Sequence, residues 1–311
     1  MKPTNLLAAS LGRLTWPLQR RLARLIYPPG TQEEDFLQPP GEAALVAADS
    51  VSWRIFRNPV AMLVGGVTAV LLELAEPRVR SGVWEYTSFK VQPMQRLQRT
   101  GYAAMMTAFG ARSRTEAMIS RINAGHARIG GHTPAGVAYN ANDDALLTWV
   151  HATATFGFLQ AYTRCVRPLS AAERDAFYVE NQVSARLYGV QAPPASESEL
   201  DQLFEQMRPQ LEPSGIVREF LQIMQRVPLV PAPLRGLQSL LIVAAVQNLP
   251  DDVRRLLSLD GPSWQLRPWQ WKLLRILGRL ADRLTLPSLP AILADRRLAM
   301  GEVQLRVTAP R

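Results

Sequence analysis

Apolar residues recur at intervals of three and four along nearly the whole chain, the spacing that stacks side chains on one face of a helix. On that period the sequence predicts helices over about 49–57, 60–74, 93–110, 113–123, 143–167, 171–189, 196–210, 216–227 and 234–247, with at least two more in the arginine-rich tail. Pro77, Pro93, Pro168, Pro193, Pro194, Pro213, Pro228 and Pro250 mark their boundaries, because proline has no N–H to continue a helix interior. No convincing alternation of apolar and polar positions occurs, so the expected class is all-α. The most apolar run, 59–72 (PVAMLVGGVTAVLL), is shorter than the ~20 residues that span a bilayer and is read as a buried core helix. Residues 1–42 are expected to form an amphipathic N-terminal helix and a Pro/Gly-rich linker (PPGTQEEDFLQPPGE), ahead of one large helical domain over 43–311.

Composition adds two constraints. With 47% hydrophobic and 20% charged residues the chain is globular, and its single cysteine, Cys165, rules out an intrachain disulfide or a cysteine-rich zinc site. The formal charge is +9, and only Lys2, Lys90 and Lys272 among the 35 basic residues are lysine. The arginines are scattered rather than gathered into a stripe with aromatic platforms, which argues against nucleic acid as a partner. Leu, Trp and Ile interleaved with arginine near the N-terminus fit either a helix packed on the body or peripheral contact with an anionic membrane. No secretory signal is evident, and the expected location is cytoplasmic, with that peripheral contact as a further expectation.

Candidate chemistry centres on three histidines, at 126, 132 and 151. His151 falls inside DDALLTWVHATATFGFLQAY, where Leu147, Ala154, Thr155 and Phe158 share its face. That spacing leaves open a packed core imidazole or the single axial ligand that suffices for a haem. Pairing with Cys165 is excluded, since fourteen residues of helix separate them by about 21 Å. Arg96, Arg99, Thr100 and Ala103 line one helical face, either a solvated stripe or, given the aromatic surroundings Trp84, Tyr86, Phe89 and Tyr102, internal cations needing an anion such as a haem propionate. The glycines of HARIGGHTPAG follow no strand and lack the phosphate-loop lysine, so this segment is read as a loop leading to the His151 helix, capped by Asn142 or Asp143. Templates for serine hydrolases, zinc proteases and EF-hands are absent from the sequence.

Taken together, LLELAEPRVRSGVWEYTSF, QPMQRLQRTGYAAMMTAFG, NAGHARIGG…GVAYNANDDALLTWVHAT and LSAAERDAFYVENQVSARLYGV resemble the MpaB-type oxygenases and the related latex clearing proteins, or rubber oxygenases. The resemblance is strongest over 53–190, with an echo in LPDDVRRLLSL at 249–259. It implies a globin-like helical core holding haem b, with His151 as proximal iron ligand. It also matches Arg96-x-x-Arg99-Thr100 to a distal Arg-x-x-Lys-Thr motif. Arg99 stands where that family's lysine can ligate iron. Arginine stays protonated and is a poor ligand, so the distal position is expected to be open or water-bound, with Arg99 donating hydrogen bonds to oxygen or a propionate. Arg96 and Thr100 would orient the cofactor. Glu76, at a position associated with histidine in MpaB-type sequences, is read either as a distal acid/base or as a surface carboxylate at a helix end, with Glu85 a weaker candidate. The implied activity is haem-dependent use of O₂ to oxidise, or cleave at a C=C bond, a small hydrophobic, isoprenoid-like substrate; its electron donor is not specified. The alternative classes are a non-catalytic helical binding or sensor protein and a peripheral membrane scaffold.

Overall fold

The computed structural model describes residues 27–308 except 87, 231–234 and 284, with side chains through 301. The expected N-terminal amphipathic helix therefore lies largely outside the described residues. Among them are thirteen α-helices and one two-stranded antiparallel sheet, so the fold is all-α.

Two apolar helices form the axis: α2 (Pro59–Glu73) and α6 (Asp144–Cys165). Each start is fixed locally. The Asn58 side chain accepts the Val60 and Ala61 N–H groups at 3.0 and 3.1 Å ahead of Pro59, and Asp143 accepts Ala145 N–H at 2.9 Å; such caps satisfy donors that no helical carbonyl can reach. The pair runs antiparallel and touches backbone to backbone at Gly65 and Gly157. A Cβ on Gly157 would fall 2.5 Å from the Gly65 carbonyl oxygen, and one on Gly65 would fall 2.7 Å from Phe158 Cα. Both helices are apolar nearly all round because other elements cover them.

On α2 lies α10 (Arg235–Gln247), tied by Thr68 Oγ1 donating to Ala245 O at 3.0 Å. The far end of the axis is closed by α12 (Pro268–Ala281), whose Gly278 carbonyl accepts from Asn58 Nδ2 at 2.9 Å. α1 (Val51–Arg57) meets α2 at 94°, and Glu180 of α7 (Ala171–Tyr188) accepts the Val51 and Ser52 N–H groups at its start. No single helix among the described residues is long and apolar enough to cross a membrane; α1 and α2 would be so only together, and their sharp bend and buried side chains place them in the core.

The structure revises three local readings. Pro77 begins a helix, α3 (Pro77–Tyr86), as well as ending the stretch before it. The segment read as a plain loop contains β1 (Gly130–His132) paired with β2 (Ala138–Asn140). Residues 28–42 are not a free linker. Phe36 is fully buried in a second cluster with Trp53, Met106, Phe109 and Leu293, and the guanidinium of Arg297, on α13 (Pro290–Thr308), donates to Phe36 O and Glu42 O at 2.9 and 2.8 Å.

Candidate functional site

Each axis helix carries a strip of half-covered residues, Met62, Gly66, Val70 and Glu73 on α2 and Leu147, His151 and Ala154 on α6, among other half-covered positions. Both strips follow the i, i+4, i+7 or i+8 spacing of a single helical face. Because α2 and α6 are antiparallel with Gly65 opposite Gly157, Glu73 and His151 lie toward the same end of the pair.

Neighbouring elements complete a ring at that end. On α4 (Pro93–Phe109), Arg96 acts electrostatically on Glu73. It acts also on His126, at the C-terminus of α5 (Arg112–His126). Three residues earlier, Asn123 Nδ2 donates to Leu187 O at 2.8 Å near the end of α7. Gly189, just beyond α7 at φ +106°, sits against Leu147 of α6, where a Cβ would lie 3.2 Å from Leu147 Cδ1. α2, α4, α5, α6 and α7 thus all contribute residues toward this end of the pair.

The ionisable groups here are strongly desolvated while keeping some accessible surface, the environment of a crevice rather than of open surface. Burial pushes the His151 imidazole down to about 4, so it is neutral at ordinary pH, and its side chain makes no hydrogen bond to the described residues. Burial pushes the Glu73 carboxyl up to about 7, against the opposing pull of the Arg96 guanidinium. The Arg96 guanidinium is itself held below its ordinary value, first by burial and then by the charge of Arg99, with Glu73 opposing. His126 is lowered by burial and by Arg96, and its buried Nδ1 has no hydrogen-bond partner among the described residues.

Of the residues singled out from sequence, the structure brings Arg96 and Thr100 together: an Arg96 Nη1 donates to Thr100 Oγ1, which donates back to Arg96 O at 3.0 Å. Arg99 and Thr100 are both exposed, so of the α4 stripe only Arg96 turns toward Glu73. Glu76 is neither a surface carboxylate nor a free one. It is 1% exposed; one oxygen pairs with Arg78 Nε at 2.6 Å and the other accepts Val79 N–H at 2.7 Å, making it the N-terminal cap of α3. Glu85 accepts from Tyr139 OH at 3.4 Å, away from this cluster. Sequence reasoning missed Glu73 and the proximity of His126 to Arg96. Glu73 was legible in principle, as the one charge on the Met62–Gly66–Val70 face.

Among the described residues no group of three or more His, Cys, Asp or Glu is placed to hold a bare metal ion. A lone neutral imidazole instead suits a metal that brings its other donors in a macrocycle. Gly66 and Ala154 leave the strips shallow, and Arg96 offers a cation to an acidic group. The residues present therefore fit a haem. A separate small cavity between α1, α4 and α7, lined by Ser52, Phe56, Thr107, Asn181 and Ser184, does not include His151; its polar groups already bond one another, with Asn181 Nδ2 donating to Ser52 Oγ at 2.9 Å.

Among known proteins, a family model described as "ER-bound oxygenase mpaB/B'/Rubber oxygenase, catalytic domain" matches residues 53–283. No curated protein and no solved structure matches the chain.

Proposed function

From the premise that the chain belongs to the mpaB/rubber oxygenase catalytic-domain family, we propose that it is a haem b-dependent oxygenase acting on a small hydrophobic, isoprenoid-like molecule. The observation that carries the reading is His151: a neutral, unpartnered imidazole on a half-covered strip inside the matched region. It would hold the iron, and Arg96 would pair with the carboxylates of the macrocycle.

When bound, the group supplies activation of dioxygen at its iron. The chain's own residues do the rest. Desolvation keeps His151 deprotonated, so no proton competes for its ring nitrogen. Met62, Leu63, Val70 and Leu147 offer an apolar lining for a hydrocarbon substrate. Arg99, on the exposed side of α4, is a donor for an oxygen atom or an acidic group at the rim, while the Thr100 hydroxyl is engaged with Arg96 and helps to position it. Glu73, rather than Glu76, is the carboxyl that can hold a proton near neutral pH and release it. The net reaction proposed is oxidative cleavage: one C=C bond and one O₂ give two carbonyl groups, which balances without an external electron donor.

Hemin titration followed by absorption spectroscopy tests this. The wild-type chain is expected to develop a Soret band that shifts on dithionite reduction, and His151→Ala is expected to lose it while keeping the wild-type circular dichroism. A folded wild-type chain that takes up no hemin refutes the proposal.

A further inference from the structure

One strongly charged surface plays no part in the site. α12 presents its exposed side as two parallel stripes. Trp269, Ile276 and Leu280 are 56, 54 and 54% exposed and fall at i, i+7 and i+11, one line along the helix. Beside them on the helix run Lys272, Arg275 and Arg279, followed in the turn just past its C-terminus by Arg283, all exposed. None of the four cations pairs with a carboxylate among the described residues. The nearest acid in sequence, Asp282, is turned inward to accept from Asn58 Nδ2 at 2.6 Å and Tyr162 OH at 3.1 Å.

The basic stripe is also partly fixed in place. Arg275 and Arg279 donate only through Nε, to Arg164 O and Val166 O at 3.2 Å each, at the C-terminal end of α6. Those bonds anchor the stems and leave the terminal nitrogens of each guanidinium outward. From Trp269 to Leu280 the apolar stripe runs about 17 Å at helical rise.

We infer that this face of α12 docks on an anionic lipid surface, with Trp269, Ile276 and Leu280 entering the interfacial layer and the four cations meeting lipid phosphates and carboxylates. An apolar stripe flanked by unpaired cations is the chemistry of an interfacial helix. A polynucleotide would use the cations and leave the three large apolar side chains in water. A second copy of this chain meeting the same face would set four cations against four. α12 closes the end of α6 remote from His151, so docking holds the chain at the membrane without occluding the crevice. The inference stands independently of the cofactor assignment.

Flotation of the full chain with vesicles of phosphatidylcholine, alone or mixed with phosphatidylserine, tests it, using two double variants at exposed positions. The wild type is expected to float with the mixed vesicles, not with phosphatidylcholine alone, and to be released by salt. Lys272→Glu with Arg283→Glu is expected to weaken binding by about thirty-fold or more, the value of two basic residues at such a surface. Trp269→Ser with Ile276→Ser is expected to weaken it by about ten-fold. Both are expected to keep the wild-type circular dichroism. Three results overturn the inference: no flotation of wild type, flotation of both variants as strongly as wild type, or binding to mixed-sequence duplex DNA that is lost in the charge variant and kept in the apolar one.

Discussion

Replacing Glu73 by glutamine removes a proton-binding group and keeps its shape, which isolates the electrostatic character of the crevice. In the folded chain burial raises this carboxyl from 4.5 to about 7. Between those values the native state binds more protons than the unfolded state, so stability falls as pH rises. The carboxyl is without penalty below about 4.5, and the full penalty is reached once pH passes about 7. The difference corresponds to about 3 kcal/mol at alkaline pH; because Glu73 keeps some accessible surface, about 1 kcal/mol is a floor. Glu73→Gln is therefore expected to lie within about 1 kcal/mol of wild type near pH 5 and to exceed it by about 1–3 kcal/mol at pH 8, the advantage growing across that range. Urea unfolding across that range measures it. His151 contributes the opposite slope in both proteins: its lowered value means the unfolded state binds the extra proton between about 4 and 6.5, so its contribution is complete above 6.5 and is lost as pH falls toward 4. It cancels in the difference. An advantage for Glu73→Gln that fails to grow from pH 5 to pH 8 refutes the placement of Glu73 in a desolvated crevice.

Glu76→Ala is expected to lose about 1–2 kcal/mol by uncapping α3, measured by urea unfolding, and to leave hemin titration unchanged, which separates its role from that of Glu73. Gly157→Ala puts a methyl 2.5 Å from the Gly65 carbonyl oxygen and is expected to lower stability by about 1–3 kcal/mol; Gly101→Ala, with nothing within 4 Å of the new Cβ, is expected to gain up to about 1 kcal/mol. Thermal unfolding of the two, read against wild type, should move in opposite directions. Arg297→Met leaves the Phe36 and Glu42 carbonyls without their guanidinium donor and is expected to cost about 2–3 kcal/mol, with proteolysis within residues 28–42 appearing before global unfolding.

Much of the architecture was legible from local signals. The three-to-four periodicity, the Asn58, Asp143 and Ser170 caps and the prolines at 59 and 93 determine where most helices begin, because capping and backbone geometry involve only the next few residues. Pro77 shows the limit: the same residue reads as a stop or as a first helical position, and it became the latter because the Glu76 side chain supplies the cap.

Local sequence was enough for the helical class and the apolar axis, and its motifs carried the family resemblance; it also singled out His151 as a candidate. Which of two glutamates three residues apart interacts with Arg96 depends on how the helices pack. Glu76 is consumed by its own helix start and Arg78, whereas Glu73 is desolvated against Arg96 from a helix about twenty positions away. The same holds for the burial of Phe36 and Arg297 and for the outward face of α12. Periodicity fixes which residues share a face, but the solvent or neighbour that face meets is set by segments distant in the chain, and desolvation and Coulomb interactions depend on that neighbour.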